Sequence, residues 1–242
     1  MTLFVASSPF VDGADRAILD PQNGFLQRLR EELPQYPKCL YICSSPDRHD
    51  LNCCFGADVF QIFAQVGMAF SAYWVLDNEN IEQAQTLINQ SDLIVLAGGH
   101  VPTQNAFFHA AGLPALLRDY PGVILGISAG SMNMAVEVYS QPEEPGESSP
   151  SFRRFMPGLG LTDVRILPHY QKVKDWLLDG KRLFEDITYA DSMGKQFLAL
   201  PDGSYVFQKG NKKLLCGEGY LIRDGKIQPL TKAGQELDLY LL

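Results

Sequence analysis

Apolar residues fall along this chain in two patterns that alternate. Residues 3–6, 39–43, 73–76, 93–97 and 123–127 are near-continuous apolar runs of strand length. Residues 25–33, 59–70, 81–89 and 113–120 carry apolar positions at helical spacing. Runs without polar alternation predict strands buried on both faces, and the β-α-β-α rhythm predicts a parallel sheet covered by helices. Such sheets bind ligands at the carboxyl ends of their strands. The Ser45, Gly99 and Ser128 regions fall at such ends, so one crevice can collect them.

Residues 140–157 break the rhythm. Pro142, Pro145, Pro150 and Pro157, with Glu143, Glu144 and Glu147 between them, predict a loop or flap. It is not a domain linker, because a strand pattern resumes over 164–167. A helix is predicted over 174–187. The remainder is β-rich, with strands over 196–200, 204–207 and 213–216, and a hairpin over 219–229 that turns at Asp224-Gly225. The expected architecture is a three-layer α/β sandwich with a mainly parallel sheet and a C-terminal β extension, one domain over residues 1–242.

Composition narrows the partners. The chain has 242 residues, 46% of them hydrophobic, enough for one sizeable core. A net charge of −8 and a pI of about 5.0 disfavour nucleic acid and anionic membranes as partners. No apolar run reaches the length of a membrane span. The opening Met1-Thr-Leu-Phe-Val-Ala-Ser lacks a basic start and a cleavage site, so it reads as a first strand and not a signal peptide. The cysteines, Cys39, Cys43, Cys53, Cys54 and Cys216, are odd in number and irregular in spacing. That predicts reduced thiols in a cytoplasmic protein.

Chemistry concentrates at Gly126-Ile-Ser128-Ala-Gly130, between the apolar run 123–127 and a helix-forming segment, 131–138. This is the strand–turn–helix setting of a nucleophile elbow. The serine sits on a cramped turn that needs glycine two positions to either side. A serine nucleophile requires a base, and the base an orienting acid. His169 follows the apolar 164–167 run and Pro168 at a predicted strand end and leads as base; His100, after Gly98-Gly99, is second. His49 reads as a solvated loop residue and His109 as a packing or surface residue. For the acid, Asp202 lies in Pro201-Asp202-Gly203, which is also an ordinary turn signal; Glu137, Glu143, Glu144 and Asp163 stay open. The N–H of Ala129 and a backbone N–H of Gly98-Gly99 are natural oxyanion donors. Metal-ligand spacing and a dinucleotide-binding glycine pattern are absent, so neither a metal nor a cofactor is expected.

These residues carry a resemblance. Leu93-Ile-Val-Leu-Ala-Gly98-Gly99, Gly126-Ile-Ser128-Ala-Gly130, Ile166-Leu-Pro168-His169-Tyr170 and Ala199-Leu-Pro201-Asp202-Gly203 stand in the order seen in the dipeptidase E (aspartyl dipeptidase) and cyanophycinase family of serine peptidases. The chain resembles that family over about residues 1–210, and the family's fold is similar to class I glutamine amidotransferases. The resemblance implies Ser128 as nucleophile, His169 as base, Asp202 in the place of the family's acidic residue, and Gly99 and Ala129 as oxyanion donors. Close relatives of the glutamine amidotransferases carry cysteine at the elbow, so serine here argues against glutamine-derived ammonia transfer.

The resemblance has gaps. The family's Gly-Gly-Asn-Thr reads Gly98-Gly99-His100-Val-Pro-Thr103 here, which makes His100 a candidate substrate-binding residue. The family's substrate arginine, in the region after the histidine, falls on Leu183 in a gapless count, with Arg182 one position off. Lys172, Lys174, Lys181 and Arg182 are the candidate cations for an acidic substrate side chain. The expected function is a cofactor-free serine peptidase of short peptides, with N-terminal aspartate favoured if those cations line the pocket. An esterase or amidase on the same triad, and a non-catalytic binding protein, are the alternatives. The sequence leaves the oligomeric state open.

Overall fold

The computed structural model describes residues 1–11 and 17–241. The five apolar runs are strands β1 (Thr2–Ala6), β2 (Lys38–Ile42), β3 (Ala72–Leu76), β4 (Leu93–Leu96) and β5 (Val123–Ile127). All run parallel, in the spatial order β1-β5-β4-β2-β3. β1, β4 and β5 are buried along their whole length. A strand buried on both faces has no polar side to show, which is why these runs do not alternate. Between the strands lie α1 (Phe25–Glu32), α2 (His49–Gln65), α3 (Ala84–Gln90), α4 (Val101–Ala110) and α5 (Leu113–Leu116).

After β5 come α6 (Ala129–Asn133), β6 (Glu137–Tyr139), β7 (Phe155–Pro157), β8 (Ile166–Leu167), α7 (Tyr170–Val173), β9 (Leu177–Leu178) and β10 (Lys181–Arg182). The β-rich end follows: β11 (Gln196–Ala199), β12 (Tyr205–Lys209), β13 (Lys212–Cys216), β14 (Gly219–Arg223), β15 (Lys226–Thr231) and β16 (Glu236–Asp238). β12, β13 and β16 extend the main sheet antiparallel beyond β1. β15-β14-β11-β8 form a second sheet, in which β8 and β11 are parallel. The expected hairpin turns where predicted, with Asp224 and Gly225 at φ of 49° and 74°.

Four expectations need correction. The helix expected over 59–70 starts ten residues earlier, at His49, and runs on through Gly56. A Cβ at Gly56 would run into the Val75 side chain, so glycine lets α2 approach β3 closely. The helix stops at a left-handed Gly67, whose N–H reaches Ala64 O while the Met68 N–H reaches Phe63 O. The helix expected over 131–138 ends at Asn133, because Glu137–Tyr139, with valine and tyrosine, pairs with Phe155–Pro157. The helix expected over 174–187 is replaced by the β9–β10 hairpin and a wide helical turn, Leu183–Thr188. Asp179-Gly180, at φ of 50° and 78°, turns that hairpin, a strong local signal that the apolar spacing obscured. α4 was not expected as a full helix; Pro102 in its first turn is its start signal.

Candidate active site

β5 runs straight into the elbow. Ser128 has φ 52° and ψ −112°, a strained conformation for a residue with a side chain. Its N–H donates to Ala6 O (3.1 Å) and Ser7 O (2.9 Å), tying the turn to the end of β1. A Cβ at Gly126 would strike the Ser131 backbone, and one at Gly130 the Leu96 and Ala97 carbonyls. Both glycines are therefore required by close approach. Gly130→Ala is expected to cost about 1–3 kcal/mol by overpacking and to lower Tm by several degrees, read by thermal unfolding. An unchanged Tm would mean that α6 slides freely over β4.

His169 and Asp202 reach Ser128 from the second sheet, at the ends of the parallel pair β8 and β11. His169 Nε2 lies 2.9 Å from Ser128 Oγ, and His169 Nδ1 lies 2.7 Å from Asp202 Oδ1. A carboxylate only accepts, so Nδ1 carries the proton and Nε2 is left to accept the serine O–H. His169 has φ 58°, which starts α7 and aims its ring back at the elbow. Its backbone N–H donates to Ser7 Oγ (2.8 Å), and Ser7 Oγ donates to Asp202 Oδ1 (2.9 Å). Lys172 Nζ sits 2.8 Å from Asp202 Oδ2. Burial alone would raise the Asp202 carboxyl. The bonds from His169, Lys172 and Ser7 outweigh it and hold the group well below the usual carboxylate range.

Gly99 ends the β4 turn at φ 154°, where a Cβ would collide with the Ser44 side chain. Ala129 opens α6, so its N–H is one of the helix's first, which have no partner within the helix. Gly99, Ser128 and His169 line one cleft of about 100 Å³ with Val101, Met132, Gln141, Pro142, Glu143, Pro168, Val173, Trp176 and Leu183. A larger cavity, of about 420 Å³, lies elsewhere, beside Glu137, Asp163, Arg165 and Lys213. It contains none of the groups that meet at Ser128, and its charges are paired with one another as Arg165–Glu137 and Lys213–Asp163.

The model of peptidase family S51 matches residues 18–216. The chain belongs to peptidase family S51. No curated protein sequence matches it. The fold is similar to the crystal structure of a peptidase from an acI-B1 Actinobacterium, with TM-score 0.69 and 16% identity over 98% of this chain and 96% of that one. It is also similar to the 1.5 Å crystal structure of a putative peptidase E protein from Listeria monocytogenes EGD-e. That match has TM-score 0.62 and 16% identity over 95% of this chain and 98% of the other. No helix among the described residues is long and apolar enough to cross a membrane.

In this S51 peptidase the remaining candidates fall in different places. His100 is engaged by Thr103 Oγ1 (2.7 Å) and Glu147 Oε1 (2.9 Å). Arg182 is exposed and grips Asp186, 2.6 Å away, outside the residues that line the cleft. Lys172 stands on Asp202. His49 is not a solvated loop residue: it opens α2, and its Nδ1 lies 2.8 Å from the buried Asp77, which raises its pKa. His109 is exposed, with Nε2 3.1 Å from Pro157 O. Of the alternative acids, Glu137 pairs with Arg165 and Lys195, and Asp163 with Lys213. His100, Glu144 and Glu147 bring potential metal-ligand atoms within 4.8 Å of one another. Glu147 accepts the Glu143 and Glu144 N–H groups and meets His100, which anchors the loop. Ser7, which braces both His169 and Asp202, had no sequence signal beyond its place at a strand end.

Proposed function

We propose that this serine peptidase hydrolyses short peptides through Ser128, His169 and Asp202. The observation that carries the reading is the unbroken hydrogen-bonded chain from Ser128 Oγ through both ring nitrogens of His169 to Asp202, at 2.9 Å and 2.7 Å. Ser128 Oγ attacks the scissile carbonyl carbon as its proton passes to His169 Nε2. The Gly99 and Ala129 N–H groups hold the resulting oxyanion. The tetrahedral species collapses, and the leaving amine takes the proton from His169. Water then attacks the acyl-serine, gives a proton to His169, and releases the acid as Ser128 regains its own. Asp202 stays ionised and holds the imidazolium. No step calls on a metal or an organic cofactor.

A fluorophosphonate probe tests this, since only an activated serine reacts with it. Mass spectrometry should find the adduct on Ser128, and His169→Ala should prevent it. A protein that stays unlabelled would be a binding member of the fold. An esterase or amidase would label equally, and the peptidase family is what favours peptide bonds. The exposed thiols of Cys53 and Cys54 favour a reducing, cytoplasmic setting, and we read residues 1–242 as one functional unit.

N-terminal aspartate was expected to be favoured if cations lined the pocket. Among the described residues lining the cleft, none is a lysine or an arginine. The cleft's charge comes instead from Glu143, and that supports a different substrate.

A further inference from the structure

The cleft beside Ser128 is closed on one side by the loop that begins at Gln141. That loop is pinned at two points. Glu147 Oε2 accepts the N–H groups of Glu143 (2.9 Å) and Glu144 (3.1 Å), while its Oε1 meets His100. Asp179, at the tip of the β9–β10 hairpin, accepts the N–H groups of Gly146 (3.0 Å) and Ser148 (3.3 Å). The first clamp fixes Glu143 at the mouth of α4, where its carboxyl meets the Val101 N–H, and Glu143 lines the same cleft as Ser128 and Gly99. Glu143 is exposed as a residue, but the cleft wall desolvates its carboxyl. That raises its pKa, with a partial offset from His100 and the Val101 N–H. A cation arriving beside it would favour the ionised form.

Size and lining narrow the occupant. A cavity of roughly 150 Å³ holds a benzene-sized molecule, and this cleft offers about 100 Å³. That is the scale of one side chain. Its walls beyond Glu143 are mainly apolar: Val101, Met132, Val173, Trp176 and Leu183. In a peptide cleaved after its first residue, the α-ammonium is two bonds from the scissile carbonyl carbon. A carboxylate sharing so small a cleft with the nucleophile is suited to that group.

We propose that Glu143 receives the free α-ammonium of the substrate while the apolar walls receive the first side chain, so that the substrates are short peptides with an uncharged, apolar first residue. This rests on Ser128 being the nucleophile. An aspartate in first position would set its carboxylate against Glu143 with no lysine or arginine among the described residues that line the cleft, a poorly paired and repelled charge.

The test measures kcat/KM of the wild-type protein on Leu-Leu, Asp-Leu, Lys-Leu and N-acetyl-Leu-Leu. Leu-Leu should exceed both Asp-Leu and the acetylated peptide by about tenfold or more, the scale of a lost charge-assisted hydrogen bond. Lys-Leu should not exceed Leu-Leu. E143Q should slow Leu-Leu chiefly through KM and shrink the acetylation penalty, and W176A should shrink the preference for Leu over Asp. Equal rates for free and acetylated peptide, or Asp-Leu at or above Leu-Leu, would overturn the proposal. So would Lys-Leu ahead of Leu-Leu, which would assign Glu143 to a side-chain ammonium. Fluorophosphonate labelling of the wild-type protein separates the two failures. Labelled Ser128 without this discrimination defeats the specificity alone, and unlabelled Ser128 defeats the nucleophile assignment beneath it.

Discussion

Replacing Ser128 or His169 with alanine is expected to lower kcat/KM by about three or more orders of magnitude each, and the double variant to be little worse than either. The reason is geometric. In the proposed mechanism the Ser128 hydroxyl is a poor nucleophile until Nε2 of His169, 2.9 Å away, takes its proton. Without the base the serine is inert, and without the serine the base has nothing to deprotonate, so the losses overlap. What survives in every variant is the contribution of binding and of the Gly99 and Ala129 N–H groups. Folding should be retained, because both side chains project from strand ends into a cleft. Steady-state kinetics on a cleavable dipeptide, with circular dichroism as the folding control, checks this. Strictly additive losses, or near-wild-type turnover in either single variant, would contradict a shared proton-transfer unit.

Asp202→Asn is expected to lower kcat by about three to four orders of magnitude, less than loss of the serine. The Asp202 carboxylate meets three side-chain donors: His169 Nδ1, Ser7 Oγ and Lys172 Nζ. Asparagine offers one acceptor oxygen and two protons of its own. At least one donor is left facing an N–H, and the imidazole is pushed toward the wrong tautomer. A stability signature accompanies the kinetic one. The folded protein holds the Asp202 pKa below that of the unfolded chain. The unfolded state therefore binds more protons, and stability rises with pH. The contribution is present above about pH 4, the unfolded value, and is lost as pH falls through the depressed folded one. The Tm gap between wild type and Asp202→Asn should be widest near neutrality and narrow on acidification. A gap that does not change with pH would mean that the carboxylate's charge is not what the network stabilises.

Some of this was legible one residue at a time. The elbow glycines announce themselves because a cramped strand–turn–helix junction excludes Cβ atoms, and Gly126 and Gly130 do abut the Ser131 backbone and the Leu96 carbonyl. Strands β1, β4 and β5 were visible because burial on both faces removes polar alternation, a property of each strand alone. His169 and Asp202 could be placed at strand ends from the runs that precede them.

Relations between distant segments were not legible. The 174–187 stretch has helical spacing, yet Asp179-Gly180 folds it into a hairpin whose Asp179 anchors the loop bearing Glu143. Lys172 and Arg182 sit in the stretch where the family's substrate cation falls, but one is drawn to Asp202 and the other to Asp186. Ser7 joins the site only because β1 lies beside β5, on residues more than a hundred positions apart. Charge composition is a sum over residues, whereas the charge of a cleft depends on which side chains are already paired before a substrate arrives. The sequence by itself therefore determined the strand–turn–helix setting of Ser128 and the strand ends around it. The tertiary structure alone decided that Asp202 faces His169 and that Glu143, not a lysine or arginine, faces the cleft.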